Sequence, residues 1–87
     1  MRYGLQIRPS ALEELHGLAD RDRARVIRRI DSLAEIPRPR GSEKMAGTGR
    51  EYRVRAGDYR VIYTVDDAAR IVTVEKVGHR GDVYRRR

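Results

Sequence analysis

The chain has 87 residues, with 20 lysines and arginines against 13 aspartates and glutamates, a formal net charge of +7 and no cysteine. That length sets one domain, residues 1–87, with a modest core; the absence of cysteine excludes disulfides and thiolate metal sites. The basic excess favours a polyanionic partner, either nucleic acid or an acidic protein.

His16 and His79 lie too far apart for a local zinc motif, so no metal or cofactor is expected. No apolar run approaches the roughly 18 residues of a membrane span, and the N-terminus lacks a signal-peptide core. A soluble protein of the cytoplasm, without a membrane partner, is the expectation.

Residues 2–8 alternate, with Tyr3, Leu5 and Ile7 on one side, as a half-buried strand does. Pro9 should end it. Ser10 and Glu13 have capping-box spacing, and the helix they open carries Leu12, Leu15, Leu18 and Ala19 as its apolar stripe. His16 belongs to packing or surface. Asp20 can cap a second helix, about 21–35, in which Val26, Ile27, Ile30, Leu33 and Ala34 recur at helical spacing. Its arginines read as a solvated face, and Pro37 and Pro39 stop it.

Residues 38–50, with Pro39 and glycines at 41, 47 and 49, read as a loop. Lys44 within it is a candidate phosphate contact, beside the plainer reading of an exposed lysine. Three strands follow, at 51–55, 59–65 and 70–77, joined by Ala56-Gly57-Asp58 and by Asp66-Asp67-Ala68-Ala69. Neither connection is long enough for a crossover, so these strands should be antiparallel. The fold class is therefore α+β: an antiparallel sheet of about four strands with an N-terminal helical hairpin on one face, in the order β-α-α-β-β-β.

Setting Arg55 opposite Arg60, and Val65 opposite Arg70, puts Val54, Val61, Tyr63, Val65, Val72 and Val74 on one face. The other face receives Arg53, Arg55 and Arg60 with Ile62, Thr64, Ile71, Thr73 and Glu75. His79 continues that odd-numbered parity. Guanidinium forks match phosphate oxygens bidentately, so RNA is the leading substrate class. The plainer alternative is an exposed strand surface tied by salt bridges to Glu51 and Glu75. Among the tyrosines, Tyr52 and Tyr63 read as core or edge, and Tyr59 as the one best placed to approach a base.

Particular segments carry a family resemblance: Ala11-Leu12-x-x-Leu15, Tyr52-Arg53-Val54-Arg55, Gly57 to Tyr63, Val77-Gly78-His79-Arg80, and Val83-Tyr84-Arg85. With the order strand, two helices, sheet, the chain resembles the RelE/ParE superfamily of bacterial toxins over almost its whole length. The resemblance to RelE-type members implies a ribosome-dependent endoribonuclease that cuts mRNA in the decoding site, touching rRNA, and a cognate antitoxin. It implies 2′-hydroxyl attack, giving a 2′,3′-cyclic phosphate and a free 5′-hydroxyl.

By position, Arg60 and Arg80 would neutralise transition-state charge. Arg53 and Arg55 would hold backbone phosphates. Tyr84 would stack on a base, orient the 2′-hydroxyl or share in proton transfer. Arginines stand at 53 and 55 where relatives often carry lysine, and arginine cannot act as a base. His79 then becomes the candidate general acid or base, against a plain surface histidine. The chain ends at Arg87, which leaves space for at most a minimal C-terminal helix. Two other functions stay open: a ParE-like DNA gyrase poison, and a non-catalytic RNA-binding or decayed toxin module.

Overall fold

β1 (Gly4–Ile7) leads into α1 (Pro9–His16) and α2 (Asp20–Ser32), then into β2 (Glu43–Lys44), β3 (Glu51–Ala56), β4 (Tyr59–Asp66) and β5 (Ile71–His79). The structure, a computed structural model, describes residues 2–45 and 50–79. No helix among the described residues is long and apolar enough to cross a membrane.

α1 starts at Pro9 rather than after it. A proline in the first helical turn gives up an N–H that has no intrahelical acceptor in any case. Arg8 is the extended N-cap residue and makes no side-chain cap, so the expected Ser10–Glu13 capping box does not form. Asp20 likewise is the first residue of α2, with Ala19 as N-cap, and its carboxylate pairs with Arg23. α2 ends at Ser32, and turns replace the expected last helical residues before Pro37.

Among the described residues the sheet has five strands in the order β1-β5-β4-β3-β2. β1 runs parallel to β5, and the other neighbours are antiparallel. The sheet is thus mixed rather than wholly antiparallel. β1 and β5 are separated by most of the chain, so nothing constrains them to a hairpin. β2 stands where a loop is expected, since two residues are too short to show alternation. Both helices lie on one face, as expected.

The core between helices and sheet contains Ala11, Leu15, Val26, Ile30, Leu33, Val54, Val61, Tyr63, Val72, Val74 and Val77. Leu12 and Ile27, expected in the apolar stripes, are instead 40% and 46% exposed. Val26 and Ile30 take the inward face of α2, and their neighbour Ile27 is turned away by about one-quarter of a helical turn. Tyr63 is fully buried, donates from its hydroxyl to the Pro37 carbonyl at 2.8 Å, and stacks on Tyr52. It anchors the segment after α2 to the sheet.

Arg55 pairs with Arg60 as expected. The second hairpin differs: Val65 pairs with Val72 and Asp66 with Ile71, so Arg70 belongs to the turn. Arg70 adopts a φ of 60°, which no ladder residue can hold. Asp66 accepts the Ala69 N–H at 3.0 Å and closes that turn. A bulge then interrupts the ladder: Tyr63 pairs with Val74, but Ile62 pairs with Lys76, leaving Glu75 as the additional residue.

Candidate functional site

The sheet face away from the helices carries the arginines. Cross-strand partners share a face, so Arg53 with Ile62, and Arg55 with Arg60, point together to the uncovered side. Arg53, Arg55 and Arg60 line a cleft of about 80 Å³ with Gly41 and Glu43. Arg60 is half-buried, with its Nη1 withdrawn from solvent. Beneath the cleft, Arg29 of α2 donates from Nε to the Arg55 carbonyl at 3.1 Å, tying the strand to the helical layer.

Arg55 and Arg60 are direct cross-strand neighbours, and like charges so placed weaken a sheet unless an anion comes between them. Arg53 is paired with Glu43, a partner that the loop reading of β2 concealed. Glu75, expected to face these arginines, pairs instead with Arg8 at 2.7 Å and accepts from the Thr64 hydroxyl at 3.3 Å. Ile62 is only 5% exposed yet stands outside the helix-side core cluster, which agrees with its place among the arginines.

His79 is not on that face. Downstream of the bulge the alternation of β5 inverts: Val77 pairs with Val61 in the core, and His79 pairs with Tyr59. The two rings meet edge to face, with centroids 5.4 Å apart. Tyr59 is on the helix side as well: burial is the chief cause of its raised pKa, and the nearby Asp22 carboxylate of α2 raises it further. His79 does not join the arginine face, contrary to the parity expected for it, and Tyr59 keeps the core-side parity of Val61 and Tyr63. The sequence did carry a signal, because Val72, Val74 and Val77 break from a spacing of two to a spacing of three.

Lys44 pairs with Tyr52 in the ladder, so it falls on the opposite face from the Glu43–Arg53 pair. It is exposed and separate from the arginine cleft. Arg80 and Tyr84 lie outside the described residues. A larger hollow of about 980 Å³, lined by residues that include Gln6, Arg8, Arg50, Thr64, Thr73 and Glu75, was not foreseen. Its charges are balanced, with Arg8, Arg38 and Arg50 against Asp66, Asp67 and Glu75, whereas the arginine cleft sets three arginines against Glu43 alone.

Comparisons with known proteins agree with this architecture. Residues 5–84 match the family described as ParE toxin of type II toxin-antitoxin system, parDE. The chain is 33% identical to Toxin RelG of Mycobacterium tuberculosis, across 99% of this chain and 100% of that protein. It superposes on the archaeal RelE of the RelE–RelB complex from Pyrococcus horikoshii with a TM-score of 0.81 and 34% identity, covering 93% of this chain and 98% of that one. The isolated E. coli RelE toxin gives a TM-score of 0.78 at 29% identity, covering 95% of this chain and 92% of the other. A helical hairpin on one face of a mixed sheet, an arginine row on the other, and these matches place the chain in the RelE/ParE superfamily, as a member of the toxin family of type II toxin–antitoxin systems.

Proposed function

We propose that this toxin is a ribosome-dependent endoribonuclease that cuts translated mRNA. The opposition of Arg55 and Arg60 on the uncovered face carries the reading. Two guanidinium groups held side by side, with Arg53 in the same cleft, suit a phosphodiester that gains negative charge as it becomes five-coordinate.

In the proposed step the 2′-hydroxyl gives up its proton as the O2′–P bond forms. The bond from phosphorus to O5′ breaks, and that oxygen takes up a proton, leaving a 2′,3′-cyclic phosphate and a 5′-hydroxyl. Arg60 neutralises the charge on the non-bridging oxygens, while Arg53 and Arg55 hold the flanking backbone. The resemblance to RelE-type toxins assigns Arg80 to the same charge and Tyr84 to the base or the 2′-hydroxyl. His79, turned to the helix side, is not given the proton transfer. Lys44 is left with at most a peripheral contact to rRNA or mRNA phosphate.

The relatives solved as RelE–RelB complexes support a cognate antitoxin for this chain too. An acidic segment folding onto the basic open face would silence it.

Mapping RNA ends after induced expression tests the proposal. Wild-type protein should produce cuts within translated codons, and Arg60→Ala should abolish them while still folding. The matched family profile is that of ParE toxins, which favours gyrase poisoning as the second reading. DNA breaks and blocked supercoiling with intact mRNA would decide for it.

A further inference from the structure

The geometry points to Glu14 as the positioning residue that holds the far end of β5 in its bulged register and so keeps Gly78, which has no side chain, across the ladder from Arg60. This rests on the proposed ribonuclease reading for its consequence, though not for its geometry.

β1 stops at Ile7, whose ladder partner is Val74, and Arg8 makes the next bond by donating its N–H to the Val74 carbonyl at 3.0 Å. Beyond that point β5 runs on for another five residues with no strand of the described residues beside it on the β1 side. An uncovered edge of this kind leaves backbone donors to be satisfied by something else. Glu14, from the last half of α1, supplies the acceptor. Its Oε1 receives the Val77 N–H at 2.8 Å, and its Oε2 receives the Lys76 ammonium at 2.6 Å. Both side chains of that ion pair are mostly buried, at 24% and 31% exposure.

The two contacts fall immediately after the bulge, at the residues whose direction it inverts. Had β5 continued without the additional residue, the pairing of Tyr63 with Val74 would extend to Val61 with Lys76 and Arg60 with Val77. A lysine would then face the core and a valine would crowd the arginine. The observed register instead puts Gly78 opposite Arg60, so the cross-strand neighbour of this arginine has no side chain. Val77 and Lys76 favour that register by their polarity. Glu14 holds it by joining both to α1, and it draws the Lys76 charge to the sheet edge and away from the arginine row.

Glu14→Ala removes both contacts, whereas Glu14→Gln keeps an oxygen for the Val77 N–H and loses the ion pair with Lys76. In Glu14→Ala the Val77 amide should exchange with solvent at least about fivefold faster, the equivalent of one lost hydrogen bond, with Val61 and Val72 amides unchanged. RNA cutting should fall about tenfold or more, and Glu14→Gln should restore most of both signals. Tyr63→Phe, which loses only the hydroxyl bonded to the Pro37 carbonyl and no contact of Glu14, serves as a control for general loss of stability and should keep its cutting rate. Unchanged Val77 exchange in Glu14→Ala overturns the clamp. Faster exchange with full cutting overturns its link to the site. If wild-type protein cuts no RNA, the ribonuclease reading fails, while Val77 exchange still decides for or against the clamp.

Discussion

His79 stands directly across the β4–β5 ladder from Tyr59, and their rings meet edge to face at 5.4 Å on the side of the sheet that carries the helices. The imidazole is thereby separated by the thickness of the sheet from the Arg55–Arg60 pair. His79 is exposed at the end of β5, and the arginine row lies across the sheet from it. His79→Ala should cost about 0.5–1.5 kcal/mol of stability through the lost ring contact and leave RNA cutting within about threefold of wild type. A folded His79→Ala variant whose cutting collapses would return the imidazole to the chemistry.

Arg60→Ala should reduce the single-turnover cutting rate by about 10²–10³-fold, the usual consequence of removing one preorganised group that faces developing charge. Its unfolding should stay cooperative, because Arg60 stands on the sheet face away from the helices and outside the helix-side core. Parallel melting and cleavage assays separate the two effects. A variant that stays folded and cuts at full rate removes Arg60 from the site.

Glu43 screens Arg53, so Glu43→Gln should tighten binding of a short single-stranded RNA, by up to about fivefold at low salt. The gain should vanish as ionic strength rises. Titrations at two salt concentrations measure it, and an unchanged affinity at both would show that Arg53 does not meet the RNA.

Asp67 accepts from Arg38 at 2.9 Å and from the Tyr3 hydroxyl at 2.7 Å, linking the N-terminus, the segment after α2 and the β4–β5 turn. Arg38 first, then Tyr3, hold its carboxyl below the ordinary carboxylate pKa. A lowered folded-state pKa contributes stability that is present above the unfolded value of 3.8 and is lost as pH falls through the folded one. Urea unfolding followed from pH 6 down to pH 3 should therefore show an acid-side loss that is smaller in Asp67→Asn. Equal slopes in the two proteins would contradict this assignment.

Tyr63 is the largest fully buried side chain. Tyr63→Phe strands the Pro37 carbonyl and should cost about 1 kcal/mol, and Tyr63→Ala about 3–5 kcal/mol through the cavity it leaves. Denaturant midpoints measure both. A neutral Tyr63→Ala would mean that the core closes without this residue.

Sequence alone determined the helical hairpin, the three long strands, the valine core and the facing of Arg55 toward Arg60, because each rests on local periodicity and short turns. It also carried the family, through motifs spread along nearly the whole chain. Tertiary structure decided what periodicity cannot express. The parallel partner of β1 is remote in sequence, and β2 is too short to alternate. Glu43 was therefore invisible as the companion of Arg53, and Glu75 went to Arg8 instead. Above all, one additional residue in β5 inverts every side chain after it, and a strand read with an unbroken period of two places His79 on the wrong face. A bulge is stabilised by contacts from elsewhere in the fold, here the Glu14 carboxylate of α1, and those contacts exist only once helix and sheet have packed.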